Sequence, residues 1–182
     1  VQVPAVKVSA SPSGKASRSV TLTFTAIPQK GMTIERISAA ELSDSVALDT
    51  NSLQCTLTEN LSDVIELEIQ CTSDGTPRKL TIPIRVEVDN IDRIAPEITG
   101  AHWMDAMEGT SNEEVRKQVM ESLSITDDIS EGGNKAYAGI ADVRCEMNSE
   151  NISFTGGSVH VTAVDYAGNT SSKTIGIQPR FQ

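Results

Sequence analysis

The stretch Val159-His-Val-Thr-Ala-Val-Asp165-Tyr-Ala-Gly-Asn169-Thr-Ser-Ser-Lys-Thr-Ile-Gly-Ile177 constrains the fold more than any other part of this chain. Val159, Val161 and Ala163 alternate with His160 and Thr162, the period of a strand with one buried face. Residues 165–169 then supply turn formers. An Asp carboxylate accepts hydrogen bonds from its own backbone a few residues on, while Gly and Asn tolerate a left-handed conformation. Lys173 to Ile177 reads as the return strand, so the segment is a tight hairpin.

The remainder is built in the same idiom. Val6 and Val8 begin a short strand, and Val20 to Ala26 alternates cleanly. Val46 to Leu48, Leu53 to Leu57, Val64 to Cys71 and Leu80 to Val88 read as further strands. Residues 73–77 join the last two as a hairpin, and Pro83 places its strand at a sheet edge or at a bulge. Met32 to Leu42 is ambiguous between strand and helical turn. In the second half Ser111-Asn-Glu-Glu114 is a capping box, and Val115, Val119 and Met120 mark one side of a helix near 112–122. That helix is expected to cross an open end of a sandwich. Gly132-Gly133-Asn134 reads as a loop, and Ile140 to Met147 and Ile152 to Phe154 as strands. Aromatic residues make up only 3% of the chain, so the cores must come mainly from Val, Ile, Leu and Ala. The expected fold class is all-β.

Asn90-Ile-Asp92-Arg-Ile-Ala-Pro96 reads as a joint, because Pro96 holds Ala95 extended and withholds a donor. The expected division is 1–90 and 91–182, each an Ig-like β-sandwich, the second with one inserted helix. An internal echo agrees with it: Ile65-Glu-Leu67-Glu-Ile69 with Lys79-Leu-Thr-Ile82 parallels Val159 to Ala163 with Lys173-Thr-Ile175. From Asp92 to Ile177 the chain resembles bacterial surface immunoglobulin-like repeats of the Big and hyalin-repeat-like kind. The opening at Asp92 to Thr99, the Thr126-Asp127-Asp128 segment and the closing hairpin carry the resemblance. It implies sandwich modules of adhesins, cell-wall proteins or multi-domain carbohydrate-acting enzymes. It also implies that Asp165, Gly168 and Asn169 shape a turn and catalyse nothing.

A formal charge of −10 with scattered Lys and Arg argues against nucleic acid as a partner. No run of 18 or more apolar residues exists to insert in a membrane, and the chain reads as a piece of a longer exported protein, extracellular, at the cell surface or secreted. Cys55, Cys71 and Cys145 sit on inward phases and read as small buried hydrophobes, or Cys55 and Cys71 pair if their strands are neighbours. His160 lies on an outward phase. Trp103 is either a core anchor or an exposed residue for stacking a sugar. Asp127, Asp128 and Asp165 are weak candidates for calcium, which wants about six to eight oxygens; no other cofactor is indicated. No nucleophile elbow, phosphate loop or zinc spacing occurs. The expected function is therefore non-catalytic: a spacer, presentation stalk or adhesion module between neighbouring domains. The alternatives are a module binding a glycan or a host extracellular protein, or accessory domains of a larger extracellular carbohydrate-acting enzyme.

Overall fold

A computed structural model describes residues 3–129 and 133–181. The chain divides into two compact units, Val1–Asp92 with Ser130–Asn134, and Arg93–Ile129 with Lys135–Gln182. No helix among the described residues is long and apolar enough to cross a membrane.

Unit 1 has seven strands among its described residues: β1 (Ala5–Ser11), β2 (Val20–Ile27), β3 (Met32–Ser38), β4 (Val46–Asp49), β5 (Ser52–Leu57), β6 (Leu61–Ser73) and β7 (Thr76–Val88). They form two antiparallel sheets, in the orders β1-β2-β5-β4 and β3-β6-β7. With the strands lettered in chain order these are ABED and CFG, the constant-type immunoglobulin arrangement. The alternation foreseen in β2 is complete: Val20, Leu22, Phe24 and Ala26 are buried and the threonines between them are partly exposed. They pack against Ile65, Leu67, Ile69 and Cys71 of β6 in one core.

Two details resolve what was ambiguous in this half. A register shift between Ile34 and Arg36 breaks the alternation of β3, so Met32, Ile34 and Ile37 are all buried without sharing period 2. The β6–β7 turn is only Asp74-Gly75, both at positive φ, which lengthens both strands beyond their expected ends. Pro83 lies on β7, an edge strand, where its missing N–H interrupts no ladder.

Cys55 on β5 and Cys71 on β6 belong to opposite sheets and pair respectively with Leu22 and Ile34. They are not on neighbouring strands, and both are free and buried; Cys145 is free and half-buried. Burial pushes the Cys55 thiol up, aided by the Asp44 charge. The end of unit 1 is held firmly. Asn90, Ile91 and Asp92 are buried, Asn60 exchanges two hydrogen bonds with the Ile91 backbone, and the Asp92 N–H donates to the Ser17 carbonyl. The first residues of the expected joint are thus part of a folded unit.

Unit 2 contains β8 (Glu97–Thr99), β9 (Trp103–Met107), α1 (Asn112–Ser122), β10 (Ser124–Thr126), β11 (Ile140–Met147), α2 (Ile152–Thr155), β12 (Gly157–Asp165) and β13 (Thr170–Arg180). Its main sheet runs β11-β12-β13-β9, with β9 parallel to β13, and a short β8–β10 ladder stands apart from it. Val159, Val161, Ile175 and Ile177 from the sheet share a core with Val115 and Val119 of α1 and Ile152 of α2. Helix α1 therefore forms part of the layer facing the sheet, where an end cap was expected. The Ser111 half of the expected capping box forms, its Oγ accepting from the Glu114 N–H at 3.1 Å. The segment expected as a strand at Ile152 is the short helix α2: three apolar-flanked residues carry no period. In the loop expected at 132–134, Gly132 lies outside the described residues.

Candidate functional site

The closing hairpin is built around Asp165, which is 2% exposed at the end of β12. Its Oδ1 accepts from the backbone N–H of Ala167 (3.0 Å) and of Asn169 (2.8 Å), and its Oδ2 accepts from Asn169 Nδ2 (2.9 Å). The Asp165 N–H donates to the Asn169 carbonyl, and Gly168, at φ +92°, returns its N–H to the Asp165 carbonyl. Asp165, Gly168 and Asn169 together form one hydrogen-bonded turn joining β12 to β13.

Asp127, just after β10, approaches this turn. One carboxylate oxygen of Asp127 and one of Asp165 lie within 4.8 Å of each other. Asp127 Oδ2 accepts from the Gly139 N–H at 2.6 Å, and Gly139 in turn accepts from the Tyr166 N–H. Asp127 Oδ1 is buried with no hydrogen-bond partner. Asp128 is exposed and enters only through its charge. Of the three calcium candidates, then, the fold gathers two.

Desolvation raises the Asp127 pKa above the ordinary carboxylate range. The Gly139 N–H opposes this, and the Asp165 carboxylate and Asp128 add to it. Two like charges so placed repel unless a cation or a proton on Asp127 intervenes. Asp165 already accepts from three donors, which leaves it few lone pairs for a cation. Because the folded pKa is raised, protonated Asp127 contributes stability that is complete below its unfolded pKa and is lost as pH rises through the folded value. Asp127→Asn keeps an oxygen for Gly139 and adds a donor toward Asp165. It is expected to raise the melting temperature at pH 7, with the gain vanishing in acid below about pH 4; calorimetry across pH measures this. Chelator is expected to leave the melting temperature unchanged. A rise on adding calcium that the Asn variant abolishes would assign the pair to a cation instead.

Trp103 opens β9 and is 57% exposed. It does not anchor the core, because β9 turns Met104 and Ala106 inward and its odd positions outward. His102 and His160 are both exposed: His102 Nδ1 lies 3.5 Å from Lys173 Nζ, and His160 Nδ1 3.0 Å from Thr174 Oγ1. Among the described residues no Ser, Thr, Cys or His side chain is hydrogen-bonded to Asp127 or Asp165, so no nucleophile–base pair is assembled there. The sequence groups Asp127 with Asp165 only as acidic candidates; their approach in space comes from how the separate β8–β10 ladder lies beside the β12–β13 turn.

No family model matches this chain, and no curated protein matches it. Among solved structures it is similar to the fibronectin(III)-like modules of Clostridium thermocellum CbhA, at 12% identity over 97% of this chain and 95% of that one, with a TM-score of 0.31. It is also similar to the N-terminal eight Ig domains of Down syndrome cell adhesion molecule, at 10% identity over 98% of this chain and 25% of that one, with a TM-score of 0.35. Both likenesses are distant, and the immunoglobulin-like assignment rests on the strand order and registers of the two units themselves.

Proposed function

We propose that this chain is a non-catalytic tandem segment of a longer bacterial surface or secreted protein, serving to space and present neighbouring domains. The observation that carries this reading is the succession of two units, each closed around its own apolar core with no residue shared between the two clusters. The hydrogen-bonded Asp165 turn and the buried end of unit 1 at Asp92 add to it, since both resist fraying.

The test is single-molecule stretching of the chain between inert handles. Two separate unfolding steps are expected, each releasing roughly 300 Å for some 90 residues at about 3.4 Å each. A single step for the whole chain would refute the picture of two serial spacers. Turnover of any substrate in a broad hydrolase screen would refute the non-catalytic half of the reading.

A further inference from the structure

The outward face of unit 2 carries an arrangement that spacing does not require. Gly176 lies opposite Trp103 across the parallel β9–β13 pair, and Ser158 lies opposite Gly176 on β12. A Cβ placed on Gly176 would meet Trp103 Cβ at 3.8 Å, so the indole rises from the same side of the sheet to which Gly176 contributes no side chain. The result is an aromatic wall beside a floor of glycine and serine, two strand spacings wide, or about 9–10 Å.

Polar groups flank the floor on both sides. Toward one end, His160 Nδ1 and Thr174 Oγ1 are 3.0 Å apart. Toward the other, Asp105 Oδ2 accepts from Arg180 Nε and Nη2, both at 2.6 Å. Thr174, Gly176, Gln178 and Arg180 share one face of β13 by alternation, as do Trp103 and Asp105 on β9.

From this geometry we infer that the Trp103–Gly176 shelf is a binding site for an uncharged pyranose ring, presented at the surface of a polysaccharide. The ring faces of a pyranose are apolar, and their C–H bonds stack on the electron-rich face of an indole. Its equatorial hydroxyls need donors and acceptors at the ring edge; Gln178, opposite Asp105 and next to Gly176 on the same face of β13, stands nearest, and the His–Thr and Asp–Arg pairs meet the neighbouring units of the polymer. The glycine floor lets the ring approach the backbone, and the open shelf admits one unit of a long polymer. Charge selects the neutral class. Asp105, the carboxylate beside Trp103, is neutralised by Arg180, Glu146 stands one strand farther out opposite His160, and the chain's net −10 repels polyanions. This site is independent of the spacer reading, which stands or falls on the stretching experiment.

Trp103 is the only tryptophan in the chain, so its emission reports this shelf directly. The full chain is titrated with cellohexaose, xylohexaose and mannohexaose as neutral probes and with oligogalacturonate as a charged comparator. At least one neutral probe is expected to give a saturable emission shift. By calorimetry, Trp103→Ala should weaken that binding at least about tenfold, equivalent to ~1.4 kcal/mol, while Trp103→Phe retains part of it. Gly176→Leu, whose Cβ meets only ordinary contacts, should fold and lose binding by filling the floor. The proposal is overturned if no neutral probe shifts the emission, or if binding survives Trp103→Ala. It is equally overturned if only oligogalacturonate acts, or if the shift follows protein concentration, which would make the β9 edge a contact between copies.

Discussion

Replacing Phe24 by alanine is expected to cost unit 1 about 4 kcal/mol, the largest single-residue loss of stability in the chain. Phe24 is fully buried on β2, between Val8 of β1 and Leu53 of β5 in register. The chain's other aromatic residues are exposed or half-buried, so Phe24 is the only aromatic filling a core. Around it stand Leu, Ile and Val side chains held by two hydrogen-bonded sheets, which cannot close a hole of that size. For a unit of some 90 residues each kcal/mol moves the midpoint by about 4–8 °C, so a fall of roughly 16–32 °C follows. Calorimetry should show that transition moving while the transition of unit 2 stays in place, because the two clusters share no residue. Equal movement of both transitions would mean that the two cores unfold as one. A loss under about 1 kcal/mol would mean that the site collapses around alanine.

The strands of unit 1 were legible because a sheet with one wet face repeats every two residues, and β2 throughout and β6 from Ile65 to Cys71 keep that repeat. Where the repeat fails, so does the reading. The bulge after Ile34 shifts the buried phase by one, which is why Met32 to Leu42 fits neither strand nor helix on paper. Strand β9 was missed for another reason. It spans five residues, and its partner β13 lies some seventy positions downstream, so nothing local marks the pairing. Trp103 shows the same limit, since large apolar residues are often but not always inside, and the phase of a short strand cannot be read without its neighbour. Helix α2 is too short to have a period. The Asp165 turn lies at the opposite extreme: its hydrogen bonds span four residues, and so its chemistry is written in consecutive letters. The neighbouring Asp127 carries no such mark, because its approach depends on how β10 and β11 are placed.

That turn also sets the second large effect. Asp165→Ala is expected to destabilise unit 2 by about 3 kcal/mol. The substitution removes the acceptor for two backbone N–H groups and one side-chain amide, all on an ionised partner, and hydrogen bonds to charged groups are worth about 1.5–3 kcal/mol each. Two terms reduce the sum. Ala167 is only half-buried, so water can reach its N–H, and loss of the Asp165 charge relieves Asp127. The Asn169 N–H has no such recourse, because Asn169 is buried, and that term dominates. A fall in melting temperature of roughly 10–25 °C in unit 2 alone is the expected reading. Asp165→Asn separates the causes. It keeps Oδ1 for both backbone donors, loses the bond to Asn169 Nδ2, and removes the like charge facing Asp127, so it should stay within about 1 kcal/mol of the native chain. If Asn proved as damaging as Ala, the carboxylate charge itself would be what the hairpin needs, and Asp165 would have to be read as a cation ligand after all. If both variants were silent, the β12–β13 register would be held by the ladder and by Val159, Val161, Ile175 and Ile177 without help from the turn.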